Sequence, residues 1–338
     1  MRSCLPLRRP RRGGQAIGSR PTSASLLLVF AGFLALCTPA VSYAGSDPSL
    51  NWKTIDSSPF QVHFYQGEEQ LAAEFLALAH EAYAHLTDYF GFEPSEGIHI
   101  VVTDDTDSAN GLATALPYNY IILYSYIPDA GGQLGHWGDW KRILVYHELT
   151  HIFHLDRVRG LLKWLNYVVG KTYLPNSAMP TWCIEGLAVG KESSIGAGGR
   201  IGGPLFDMYL RVHSLEGALL RIDEASGGSL TLPRGTIPYL YGSSFLHWLS
   251  KLHGEGKLVA FVEEQAGKLN PYSLNISARR LFGKTFMELY AEWQQVETTR
   301  ARKVLVGLEE EGLNEGRRVD FGGESAPGPP GFSGQPAI

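Results

Sequence analysis

Residues 145–156 read VYHELTHIFHLD, and how this stretch folds decides what the rest of the chain is built around. Its apolar flanks, Ile143, Leu144, Val145, Ile152 and Phe153, predict a helix from Trp140 to about Leu155. On a helix, positions i and i+4 share a face about 6 Å apart along the axis, so His147 and His151 can converge on one metal ion. His154 faces the same way but lies about 10.5 Å from His147 along the axis, too far to join both on a single ion. Glu148 completes a His-Glu-x-x-His spacing, which sets a carboxylate beside a metal where it can take a proton from an activated water. A plain core helix that happens to be rich in histidine is the alternative, and the third ligand decides between them.

One class of metal helix places a glycine three residues after the second histidine and a further histidine three residues beyond. Here those places hold His154 and Arg157, which excludes it. The other solution is a carboxylate from a later helix. Residues 180–188, PTWCIEGLA, supply Glu185, about 34 positions after His151. Pro180 suits the first turn of a helix. A single acid in an otherwise apolar segment is costly to bury unless it is paired or bound to a metal. Stabilisation by the helix N-terminus is its other explanation. Three ligands leave a fourth position open, the pattern of a catalytic zinc site rather than a structural one.

Outward from these motifs, FQVHFYQG (60–67), GIHIVVTDD (97–105) and PYNYIILYSYI (117–127) read as strands, and 68–90 carries helical spacing at Leu71, Phe75, Leu78, Ala82 and Leu86. Beyond Pro180 only helices are expected, up to about Val304. The fold class is therefore α+β: a small mixed β-sheet with an edge strand over a zinc cleft, followed by a mainly helical C-terminal subdomain. GAGGRIGG (196–203) lacks a following Lys-Ser or Lys-Thr, so it is expected to be a loop near the cleft and not a phosphate cradle. His154 and Asp156 are expected on the helix surface, with a role in orienting the ligands as the alternative. His63, His80, His85, His99, His136, His213, His247 and His253 show no ligand spacing.

HELTH followed by PTWCIEGLA resembles the gluzincin metallopeptidases, and most of all the bacterial peptidase-MA-like families, over roughly residues 55–300. The resemblance implies zinc held by His147, His151 and Glu185, with Glu148 as general base. Asn110-Gly111-Leu112-Ala113 followed by PYNYIILY is similar to the strand that lines the cleft in those enzymes, along which an extended substrate could pair; an internal strand after a turn is the alternative. Gluzincins often stabilise the oxyanion with a tyrosine or histidine, a role the resemblance gives to Tyr241, with Tyr239 as second candidate. The GxMEN segment of the aminopeptidase gluzincins has no match, the corresponding stretch being NGLATALPYN, so an endopeptidase is favoured. The longer spacing between the two motifs leaves RGLLKWLNYVVGKTYLPNSAM without a template. Its apolar part, LLKWLNYVV, is too short to span a membrane; packing into the core is expected, with contact at a membrane surface as the alternative.

Charge and the termini supply the setting. Of the 29 Lys and Arg, six arginines (2, 8, 9, 11, 12 and 20) lie in the first 44 residues, which hold no acid; the remaining 23 face 34 Asp and Glu, a net of −11. So acidic a chain is a poor candidate for nucleic-acid binding. The basic stretch, the apolar SLLLVFAGFLALC and the small-residue VSYA read as a signal peptide over 1–44, which implies a periplasmic or secreted protein. An uncleaved anchor, or lipidation at Cys37, are the alternatives. Cys4 and Cys37 lie in the leader, so the exported chain retains only Cys183 and can form no internal disulfide. The expected domains are the leader, a peptidase domain over 45–304, and a flexible tail over 305–338 that resembles the opening of a β-propeller blade. The sequence as a whole points to an exported zinc-dependent peptidase acting on peptide or protein substrates. A non-catalytic zinc-containing binding or scaffold protein of the cell envelope is the alternative, against which the intact Glu148 argues. Nothing in the sequence signals an oligomeric state.

Overall fold

The computed structural model describes residues 49–128, 138–195, 199–227, 230 and 232–312. The leader, its cleavage site, His136, residues 196–198 of the glycine-rich stretch and the tail beyond 312 lie outside the described residues. One compact unit begins at Asn51 and holds every described strand and helix; of the other, Met1–Leu50, only Ser49 and Leu50 are described.

Five strands form one sheet in the order β1-β2-β3-β5-β4. Strands β1 (Trp52–Ser57) and β2 (Phe60–Tyr65) pair antiparallel, Trp52 opposite Tyr65. Strand β3 (Ile98–Thr103) runs parallel to β2, and β5 (Tyr120–Tyr124) parallel to β3. Strand β4 (Gly111–Thr114) closes the far side antiparallel to β5, with Gly111 opposite Leu123. The sheet is thus mixed, and β4 is an edge strand. Strand β1 was not expected: WKTIDS is largely exposed, so it lacks the apolar alternation by which its neighbours were found. In those neighbours alternate side chains, Phe60, Val62 and Phe64 and then Ile98, Ile100 and Val102, fall on one buried face.

Helix α1 (Glu69–Phe90) lays Ala72, Phe75, Ala79, Ala82 and Leu86 into this core and ends at Gly91, whose left-handed backbone (φ 71°) lets its N–H bond Thr87 O. Helix α2 (Trp140–Asp156) is capped by the Asp139 side chain, which accepts from the Arg142 N–H at 3.2 Å. It packs against α1, β4 and α4, and nearly every residue from Ile143 onward is buried. A helix buried on all sides lies in the middle of a fold, and α2 occupies that place, with its polar residues His147, Glu148, Thr150, His151, His154 and Asp156 buried along with its apolar ones. His154 and Asp156 are buried with it, at 0% and 3% exposure, which corrects their expected position on the helix surface. Asp156 accepts from Ser95 N and Oγ and pairs with Lys171.

Among the described residues, every regular element after α2 is helical. Helices α3 (Gly160–Val169), α4 (Thr181–Glu192), α5 (Pro204–Leu215), α6 (Ile237–His253), α7 (Glu255–Gln265), α8 (Leu274–Phe282) and α9 (Phe286–Glu311) complete the described chain. Helix α3 does not pack into the core as expected: Leu162 is its one buried residue. Helices α4 and α6 cross at close range. A methyl group on Gly242 would lie 1.9 Å from the Trp182 carbonyl oxygen, and one on Gly186 would lie 2.4 Å from the Gly242 carbonyl carbon. Only glycine at both positions admits this approach, which brings the start of α6 against the start of α4. Among the described residues no helix is long and apolar enough to cross a membrane.

Candidate metal centre

His147 and His151, one turn apart on α2, bring their Nε2 atoms to 3.1 Å of each other. Glu185, in the second turn of α4, places Oε2 3.3 Å from both of those nitrogens. These three are the one group among the described residues whose donor atoms could share an ion. The donor set suits a metal: ligands at 2.0–2.1 Å in a tetrahedral shell stand about 3.3–3.4 Å apart. Glu185 Oε2 is buried and faces only the two imidazole nitrogens, and His151 Nδ1 is buried without a hydrogen-bond partner among the described residues. Burial would raise the Glu185 pKa, but the His151 charge and the bonds from both imidazoles hold it well below the usual carboxylate range. Burial would likewise lower the His147 pKa, yet Glu185 and Glu192 push it up to about 9. Two carboxylates facing one imidazole call for a positive charge between them, from a proton or from a cation.

Glu192 stands two turns beyond Glu185 on α4 and is wholly buried. Its Oε2 lies 2.7 Å from His147 Nδ1, fixing the ring so that Nε2 faces the cluster. Its charge is met by Arg200, which donates from Nε to Oε1 at 2.7 Å and from Nη2 to Oε2 at 2.8 Å. The Arg200 guanidinium lies 4.7 Å from the centre of the Tyr239 ring, which in turn stacks on His147 at 6.0 Å. The sequence reading missed both Glu192 and Arg200. The interval of seven from Glu185 could have revealed the first; nothing in the glycine-rich stretch marked the second.

Glu148 is 5% exposed, and burial holds its carboxyl above the usual carboxylate range against the pull of the two histidines. Its side chain lies against strand β4 at Gly111, where a methyl group would come within 2.6 Å of Glu148 Oε1. A hollow of about 430 Å³ opens here, lined by Asn110 and then Gly111 to Ala113 of the edge strand, by Trp140, Ile143 and Leu144, by the histidines and the three glutamates, and by Arg200, Thr236 and Tyr239.

The two tyrosine candidates part company on α6. Two residues apart on a helix is about 200°, nearly opposite faces. Tyr239 turns to the hollow; Tyr241 turns to the core, fully buried, with its hydroxyl 2.6 Å from His213 Nδ1 and accepting from the Leu220 N–H at 3.3 Å. The expectation that Tyr241 faces the cluster is therefore corrected in favour of Tyr239.

No family model matches the chain. It is similar to a Treponema pallidum (strain Nichols) protein described only as uncharacterized, 29% identical over 198 residues, a match covering 58% of this chain and 16% of that protein's length. Among solved structures it is similar to yeast LTA4 hydrolase in complex with bestatin, with a TM-score of 0.39 and 14% identity over 80% of this chain and 41% of that one. Neither likeness establishes a family.

Proposed function

We infer that this chain is an exported zinc-dependent endopeptidase of gluzincin type. The observation that carries the reading is the convergence of His147 Nε2, His151 Nε2 and Glu185 Oε2 within 3.3 Å of one another, with Glu148 buried beside them. A zinc ion bound by those three residues supplies Lewis acidity, polarising a carbonyl oxygen and easing the loss of a proton from water. Glu148 takes that proton as general base and returns it to the leaving amine, a role suited to a carboxyl whose pKa burial has raised. The edge of β4, unpaired by any other strand among the described residues, offers backbone donors and acceptors to an extended substrate, which would lie across the mouth of the hollow. Tyr239, whose hydroxyl proton is held tightly by burial and then by the Glu185 charge, donates to the oxyanion. Of the three glutamates of the hollow, Glu148 has the role of base, Glu185 that of ligand, and Glu192 is held by Arg200, and this assignment, with the GxMEN segment unmatched, supports internal cleavage over capture of a free amino terminus. The basic and apolar leader supports export.

The test is cleavage of a mixed peptide library, read by mass spectrometry, with the wild type beside Glu148→Gln. The reading expects internal cuts that disappear in the variant, by at least ~10³-fold in rate, while metal content stays the same. Cuts that persist in Glu148→Gln would rule out the assigned base.

A further inference from the structure

Helix α3 stands out from the molecule. Leu161, Trp164, Leu165, Tyr167, Val168 and Val169 are 39–88% exposed. Single exposed apolar residues are ordinary, but six of them on one ten-residue helix mark a surface that meets a partner. The ridge is nevertheless built firmly. Leu162 is buried beneath it, and the Asn166 amide donates to Tyr173 O at 2.8 Å and accepts from the Tyr173 N–H at 3.1 Å, closing the turn that leaves the helix. The turn after α7 runs alongside: Arg159 N–H donates to Ala266 O at 2.9 Å, and Tyr173 Oη to Leu269 O at 2.8 Å. That turn adds Leu269 and Tyr272, 70% and 79% exposed, to the same projection.

We propose that helix α3 and the turn over residues 266–272 form a membrane-docking ridge that enters the interfacial layer of an anionic phospholipid bilayer. Three observations select this occupant. Its exposed apolar side chains spread over more than half of the circumference of the helix, an arrangement suited to immersion in a fluid layer and poorly suited to one flat protein face. It carries Trp164, Tyr167 and Tyr272, whose rings are apolar with a polar edge and settle at the depth of lipid headgroups. Its charge is opposite to that of the rest of the chain: residues 157–173 hold Arg157, Arg159, Lys163 and Lys171 and no acid, in a chain whose net beyond the leader is −11. Glu263 binds Arg157 and Arg159, and Asp156 and Glu96 bind Lys171, so the positive surplus falls on Lys163, exposed on the ridge itself. The helix begins four residues after α2 ends, and His151 lies little more than one turn before that end, so docking would hold the metal centre close to the bilayer surface. The inference is independent of the catalytic reading.

The chain from Gly45 onward, which keeps every described element, is floated on a density gradient with vesicles of phosphatidylglycerol and phosphatidylcholine, and with phosphatidylcholine alone. Flotation with the anionic vesicles is expected, several-fold weaker on neutral ones and weaker in high salt. The double variant W164S/V168S should lose at least ~10-fold in partitioning at unchanged circular dichroism, and K163E should lose binding to anionic vesicles only. Wild-type protein that floats with neither vesicle, or a double variant that floats equally well, would overturn the proposal. So would a concentration-dependent dimer that the double variant abolishes without any vesicle binding, which would give the ridge to a second copy of the chain.

Discussion

Glu148 and Gly111 are fitted to one another. The carboxylate occupies the space that any β-carbon on residue 111 would need. Gly111→Ala must therefore push Glu148 away from its present position or push β4 away from α2. In the proposed mechanism either displacement separates the base from the reacting atoms, and a shift of about 1 Å costs on the order of 10²-fold in rate. We expect peptidase activity to fall by that factor while metal content, measured by elemental analysis, remains that of the wild type. His154 carries a prediction about acid. Burial, and then the charge of His151, pulls its pKa down to about 3, against 6.5 in the unfolded chain. Between those values the unfolded state binds one proton more than the folded state, so the contribution is complete above pH 6.5 and is lost as pH falls toward 3. The loss is about 1.4 kcal/mol per pH unit in that window. Urea unfolding between pH 6.5 and 5 should show the steeper decline in the wild type and a shallower one, by about one proton, in His154→Gln.

At the scale of elements, the crossing of α4 and α6 does for Tyr239 what β4 does for Glu148. Gly186 and Gly242 let the two helices approach until backbone meets backbone, and this sets Tyr239 beside Glu185. Gly242→Ala inserts a methyl group where a carbonyl oxygen stands 1.9 Å away. Overpacking of this kind costs about 1–3 kcal/mol or more, and we expect a loss of at least the upper figure in urea unfolding. Gly190, on the same helix α4, has nothing within 4 Å of an added β-carbon. Gly190→Ala should be neutral or stabilising by up to ~1 kcal/mol, which separates the crossing from helix propensity. Equal effects of the two substitutions would deny the crossing its role. The two tyrosines mark where reading an element from sequence alone reaches its limit. Both sit near the start of α6, and only the partner against which the helix packs decides which of two opposite faces meets the metal centre.

Across the whole molecule, the features legible in the sequence are those set by local periodicity. His147, Glu148 and His151 are given away by the spacing of one helix, Glu185 by a lone acid in an apolar segment, and strands β2, β3 and β5 by their buried alternation. Features that depend on distant packing could not be read. Arg200 reaches the centre through its ion pair with Glu192, β1 is a polar strand recognised only by its pairing, and α3 is apolar yet lies outside the core. The His147, His151 and Glu185 cluster joins the two halves of the unit, since α2 packs on the sheet and α4 belongs to the helical portion that follows. A bound ion would therefore stabilise the fold as well as serve the chemistry. The most direct test is zinc content of the purified chain from Gly45, wild type beside Glu185→Ala, after equilibration with zinc and removal of the excess. The account predicts about one ion per chain in the wild type, bound in an open three-ligand site, and far weaker retention in the variant. A folded wild type that binds no zinc, or a variant that holds it equally well, would contradict the account.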